Sequence, residues 1–333
     1  MIAQQSGAAS GTLRERVRAL LYKNAQIFSV FGMLLLLIVA FSVVTDQFLT
    51  AGNALNLLRQ YAPTLIVAVA MTFVITSAGI DLSVGALAAL TGALAASMVG
   101  FGQPSWLAIL AMLSLGLAAG AVHGWFTAYQ GIPALIVTLA GLTAWRGVAQ
   151  LLTQGYSISI DADTFLVALG QGQIGPVPVP ALIAVVVIVL GWIVMNRTKY
   201  GQYITGIGSN EEAVRRAGVN TRLVKLSAYM LTGAAAALGG MIYAARLTSG
   251  SANAAVAFEL EVIAAVVLGG TSIFGGRGTI IGAVLGALTI AVISNGLILM
   301  RVSAFAVPVV QGLVLLLAIW ANTKVFARLG GGR

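Results

Sequence analysis

ALIAVVVIVLGWIVMNRTKYGQYITGIGSNEEAVRRAGVNTRLVK, residues 181–225, places this chain in a membrane. Its first fifteen residues carry no charge, and the next thirty carry Arg197, Lys199, Arg215, Arg216, Arg222 and Lys225. A Val/Ile run followed at once by a basic segment reads as a spanning helix delivered to a cytoplasmic loop, because cationic loops resist translocation. Ten apolar stretches can be marked along the chain. Arg14, Arg16, Arg18 and Lys23 precede the first, Arg277 lies between the eighth and ninth, and Lys324, Arg328 and Arg333 follow the tenth. With ten crossings, these and the six above put fourteen of the 18 lysines and arginines on one face. The long segment on the other face, about 153–178, holds Asp161 and Asp163 and no cation. The expectation is an all-α, polytopic transmembrane bundle of about ten spans with both termini cytoplasmic.

Composition agrees. The chain is 59% hydrophobic and 8% charged, against roughly 25% charged residues in a soluble domain. Its 333 residues accommodate about ten spans of ~20 residues, each crossing ~30 Å of hydrocarbon. The +9 net charge sits in juxtamembrane loops rather than in a basic patch interleaved with aromatics. Anionic lipid, not nucleic acid, is its expected partner. Cysteine is absent, which excludes disulfides, thiolate metal sites and thiol nucleophiles. None of the four lysines follows a glycine, so no phosphate-cradling loop of the G-x-x-x-x-G-K-[ST] type exists. His123 stands alone and reads as a polar residue at a helix end. The expected divisions are a cytoplasmic tail over 1–26, a membrane domain over 27–322 with a basic loop at 196–226, and a second tail over 323–333.

The spans expected are about 27–45, 63–78, 84–99, 105–122, 132–152, 181–195, 227–245, 260–274, 280–299 and 304–320. The Leu-rich first span, poor in small residues, suits a lipid-facing helix. Glycine and alanine crowd the later ones, as in LTGAAAALGG (231–240) and IIGAVLGAL (280–288), where small residues let backbones approach closely. An apolar span, a glycine-punctuated break and a Gly/Ala-rich helix occur at 66–94 and again at 263–288. Paired interrupted segments in two halves point to a transport path.

Few charges fall within the spans. Asp81, in GIDLSVG (79–85), sits at a break, where it can cap the third helix with Ser83 assisting or meet solute. Arg146, in TAWRGVAQ, lies inside the fifth span and is a functional candidate because charge at depth is costly. Glu259 and Glu261 open the eighth span, with Arg246 and Arg301 as available partners on the same face. In the basic loop, Ser209 and Asn210 can cap a short helix with Glu211 and Glu212 in its first turn and Arg215 and Arg216 in its last. That order complements the helix dipole at both ends. Gly218 supplies a left-handed stop. A capped helix on the cytoplasmic face is a rigid handle for another protein.

GIDLSVG, IPALIVTLA (132–140), WRG (145–147), YGQYITGIGSNEEAVRRAGVN (200–220) and FELEVIAAVVLGGTSIFGGRGT (258–279) closely resemble permease subunits of ribose-type monosaccharide ABC importers. The similarity runs from about residue 30 to 320. It implies a homodimeric permease with no catalytic or metal site of its own. It also implies partner ATPase subunits that use ATP and magnesium, and a periplasmic sugar-binding protein. Within 196–226, the segment Ser209, Asn210, Glu211, Glu212, Ala213, Arg215, Arg216, Ala217 and Gly218 would be the coupling helix seated in the ATPase. Asp81, Ser83, Arg146 and Glu259 are the path or gating candidates. The family often shows Asn-Gly where this chain has His123-Gly124. The competing readings are the same architecture importing a nucleoside or a furanosyl signalling compound, and an ion-coupled secondary transporter.

Overall fold

The computed structural model describes residues 25–303, 305–310, 312, 313 and 316. Eleven helices are assigned among them: α1 (Ala25–Val44), α2 (Ala51–Thr76), α3 (Val84–Gly100), α4 (Ser105–Ala128), α5 (Ala134–Thr153), α6 (Phe165–Gln171), α7 (Val179–Arg197), α8 (Lys199–Arg216), α9 (Thr221–Leu247), α10 (Phe258–Leu268) and α11 (Ile280–Leu299). Four two-residue strands form two antiparallel pairs, β1 (Ile158–Ser159) with β4 (Ser249–Gly250) and β2 (Gln173–Ile174) with β3 (Val177–Pro178).

Seven helices, α1, α2, α4, α5, α7, α9 and α11, are long and apolar enough to cross a bilayer. At 1.5 Å per residue, the 17 residues of α3 reach about 25 Å and the 11 of α10 about 16 Å. α10 stops short of the expected 260–274 because the chain turns through Gly270, Gly275 and Gly276, all with positive φ. Such backbone is open to glycine and strained for other residues. Of the expected tenth span, 304–320, nine residues are described and 307–310 are helical, whereas both tails lie wholly or mostly outside the described residues. The described helices therefore establish a polytopic helical bundle, with the count of spans left at these elements.

α2 is the axis of the bundle. Every residue from Tyr61 to Thr76 is buried, and the helix starts at Ala51, with Thr50 accepting from the Asn53 amide. α9 lies against α2, α3 and α4, whereas α1 packs on α11 and turns Leu36, Val39 and Val43 outward, as a lipid-facing helix should. α4 crosses α9 with the two backbones in close approach. Gly116, Gly120 and Gly124 form a stripe at four-residue spacing, and a Cβ on Gly120 would fall 2.8 Å from the Met230 Cα. Because lipid gives no hydrophobic drive for helix association, this close approach is how the two helices gain packing.

The bundle has two unlike ends. At one lies α8. At the other, the 153–178 segment folds α6 over the bundle, with Leu166 and Val167 buried. Ser105 Oγ accepts from the Leu166 amide at 3.2 Å, and Gln171 donates to the Arg246 carbonyl at 3.0 Å.

Candidate functional site

The basic segment forms one helix by hydrogen bonding but breaks at Asn210, whose φ of −161° and ψ of 94° are extended. Asn210 Oδ1 accepts from the Ala213 amide at 3.0 Å, so Asn210 is the N-cap of a second, short helix. Ser209 does not share that role. Its hydroxyl donates back to the Thr205 carbonyl at 3.0 Å and closes the preceding helix instead. Glu212 pairs with Arg215 at 2.5 Å and with Arg216 at 2.9 Å, Lys225 of α9 holds Glu211 at 3.1 Å, and Gly218 turns the chain with φ of +86°. Ala213 and Ala217 complete the last turn, the Ala217 amide donating to the Ala213 carbonyl at 3.1 Å.

Directly before the kink, α8 rests on two helix breaks at once. A Cβ on Gly208 would strike both the Thr76 carbonyl and the Gly276 amide. Gly276 itself donates its N–H to the Thr76 carbonyl at 2.9 Å. A Cβ on Gly276 would come within 2.6 Å of Ser209 Oγ. The break after α2 (77–83) and the break after α10 (269–279) thus touch each other beneath α8. The repeated span–break–helix pattern of the sequence is a repeated structure, and its two copies meet at one point. Ala78 takes a left-handed φ of 62° there, at a cost on the order of 1 kcal/mol for a non-glycine residue.

From Thr76 the chain climbs back into the bundle before α3 begins. The Ile80 carbonyl accepts from Tyr229 at 3.5 Å, and Tyr229 lies eight residues, or about 12 Å, into α9. Asp81 and Ser83 are fully buried. Asp81 Oδ1 accepts from the Ser83 amide at 2.9 Å and hydroxyl at 2.6 Å. The aspartate therefore fixes its own turn rather than capping α3, whose N-cap Ser83 makes no side-chain capping bond. Ser83 Oγ lies 3.2 Å from His123 Nδ1, and Trp145 Nε1 donates to His123 Nε2 at 3.1 Å. Indole is a donor only, so the order of donation runs Trp145, His123, Ser83, Asp81. His123 is 3% exposed; the expectation of a bystander at a helix end is corrected by this chain of contacts.

Glu259 reaches the first turn of α3 from α10, and Arg146 holds the 252–255 segment that lies against the same turn. The Arg146 guanidinium donates to the carbonyls of Ala252 and Ala254 at 2.5 and 2.7 Å, clamping the strand-to-helix segment that precedes α10. Glu259 is buried, and a Cβ on Gly85 would collide with its Oε2. Asp81 Oδ2 and Glu259 Oε2 are both buried without a hydrogen-bond partner. Asp81, Ser83 and Glu259 thus meet at the start of α3, and Arg146 is linked to it through the Ala255 carbonyl. The anticipated pairing of Glu259 or Glu261 with Arg246 or Arg301 is absent among the described residues, whose three ion pairs all lie at the α8 end. Glu261 instead accepts from Thr64 at 3.2 Å, and Arg246 donates to the Gln60 carbonyl at 3.1 Å.

A bundle of membrane-length helices, interrupted twice inside and carrying a capped surface helix on both interruptions, defines a membrane transport subunit. The chain belongs to the family described as branched-chain amino acid transport system / permease component, which matches residues 53–319. It is 42% identical to the ribose import permease protein RbsC of Escherichia coli, over 87% of this chain and 92% of that one. It is 39% identical to the RbsC protein of Bacillus subtilis, over 87% and 91%. The xylose transport system permease protein XylH of Escherichia coli is 35% identical, over 92% and 93%. No solved structure matches. The chain is an ABC permease, a multi-pass protein of the bacterial inner membrane.

Proposed function

We propose that this chain forms the translocation path of an ATP-binding-cassette importer for a monosaccharide, a pentose first of all. Two copies would make the membrane core, each with ten spans and both termini in the cytoplasm. Separate ATPase subunits, using ATP and magnesium, would dock on the helix that follows Asn210, and a periplasmic sugar-binding protein would deliver solute at the α6 end. The observation that carries the reading is the seat of α8 on both helix breaks. Similarity to ribose and xylose permeases supports the substrate class.

In this mechanism ATP binding draws the two α8 segments together. Gly208 is in backbone contact with Thr76 and Gly276, so displacement of α8 moves the 77–83 and 269–279 segments with it. Those segments carry the start of α3 and the joint between α10 and α11, and their movement re-packs the path. A ligand shifts such an equilibrium only through unequal affinity for the two states. The nucleotide must therefore favour one arrangement of the breaks over the other.

The test is reconstitution of the permease in liposomes with its ATPase and binding protein. Accumulation of labelled ribose or xylose should require ATP and all three components. Uphill uptake by the permease alone on an ion gradient would establish a secondary transporter instead. Accumulation of a nucleoside in preference to the pentoses would leave the architecture and replace the substrate.

A further inference from the structure

A cavity of about 150 Å³ opens between α2, α9 and the start of α10, where no residue was singled out as a path candidate. That is far more than the ~10–15 Å³ a single buried water needs. Its wall is polar, with Gln60, Tyr61 and Thr64 from α2, Tyr243 and Arg246 from α9, and Glu261 from α10. Opposite charges face this space without meeting, since no ion pair joins Arg246 to Glu261 among the described residues. Arg246 uses one of its five N–H donors on the Gln60 carbonyl, and its guanidinium lies 4.9 Å from the Tyr243 ring centre. Glu261 has one oxygen held by Thr64. Each partner is thus fixed in place while donors at one side and an acceptor at the other remain for a guest.

We infer that this cavity is a transient binding site for a pentose-sized polyol within the permease, entered from the α6 end. This rests on the importer reading above and names the contacts that reading lacks. A hydroxyl group donates and accepts at once, so one ring edge satisfies Glu261 as donor and Arg246 as acceptor. Tyr61 and Tyr243 add phenol groups to the same wall. Directional polar groups in a mostly preformed cleft are what orient a small ligand. The position suits a relay. Arg246 is one residue from the end of α9, and Glu261 lies just inside α10, two residues from Glu259, which packs on the first turn of α3.

The experiment uses the intact permease in nanodiscs and, in parallel, the reconstituted importer. Saturation-transfer difference NMR with D-ribose and D-xylose should show transfer to the sugar C–H protons. Glu261→Gln and Arg246→Gln should each weaken that signal and lower pentose uptake about tenfold or more, the loss expected when a charged hydrogen-bond partner goes. Both variants should copurify with the ATPase and melt close to the parent, which separates a binding loss from misfolding. Unchanged signal and uptake in both variants overturns the site while leaving the importer reading intact. Saturation transfer to L-leucine but not to the pentoses also overturns it, because the separated charges would then serve a zwitterion. An importer that moves neither pentose with parent permease fails at the earlier step, the function itself.

Discussion

Reversing the charges of the capped helix, Glu212→Lys with Arg216→Glu, separates its role as a docking handle from any role in stability. Glu212 and its partners are well exposed, with side-chain accessibilities of 47% for Glu212, 61% for Arg215 and 80% for Arg216. Exposed pairs of this kind stabilise by about 0.2–1 kcal/mol, and the double change restores an i,i+4 pair with its signs exchanged. Placing a cation in the first turn and an anion in the last opposes the helix dipole by about 0.3–1 kcal/mol at each end. The Asn210 cap, worth ~1 kcal/mol, and the tether from Lys225 to Glu211 are untouched. The net cost is about 1–2 kcal/mol on a surface element, too little to unfold a bundle whose axis is fully buried. Against a complementary partner surface, like-charge juxtaposition costs several kcal/mol, or more than about a hundredfold in affinity. The variant should therefore insert and melt as the parent does, lose the ATPase on copurification, and accumulate almost no pentose in the three-component liposomes. Parental uptake with the ATPase still bound would refute the docking role.

Gly208→Val should uncouple or unfold the α8 seat, because the new side chain meets backbone at Thr76 and Gly276 rather than a side chain that can swing away. Uptake should fall far more than for Val219→Ala beside Gly218, and equal activity of the two would exclude the seat as a transmission point. Asp81→Ala removes two hydrogen bonds to Ser83 of the charged kind, worth roughly 1.5–3 kcal/mol each, so both melting temperature and transport should drop. Asp81→Asn, which keeps an acceptor, should recover part of each; parental values in Asp81→Ala would make the residue a replaceable turn former. Gly120→Leu should abolish assembly by forcing α4 from α9, read as loss of monodisperse protein on size exclusion, and normal folding would show that the glycine stripe is incidental.

Local chemistry made a large part of this molecule legible. Hydropathy located α1 to α5, α7, α9 and α11 to within a few residues at most ends, because a spanning helix must satisfy its backbone within itself and so advertises its whole length. α2 extends furthest beyond its apolar run, beginning at Ala51 rather than Pro63, since the polar stretch 51–62 also takes up helix. The cap at Asn210, the stop at Gly218 and the acidic-to-basic order between them are likewise properties of a single segment. Ser209 was misassigned because a hydroxyl can serve either neighbour, and the kink hands it to Thr205.

The glycine stripe 116-120-124 meets a face of α9 that nothing within α4 specifies. His123 looked inert because its contacts come from residues 40 positions earlier and 22 later. Membership of a membrane class, the basic character of 196–226 and the recurrence of a span–break–helix pattern were therefore legible in the order of residues, since each depends on neighbours within a turn or two. That the interruptions meet beneath α8, that Asp81 and Glu259 come to one helix start with Arg146 clamping the segment beside it, and that Arg246 and Glu261 share a cavity were decided only by folding. Those contacts join positions tens to hundreds of residues apart, and no local preference encodes which distant backbone will fill the space a glycine leaves.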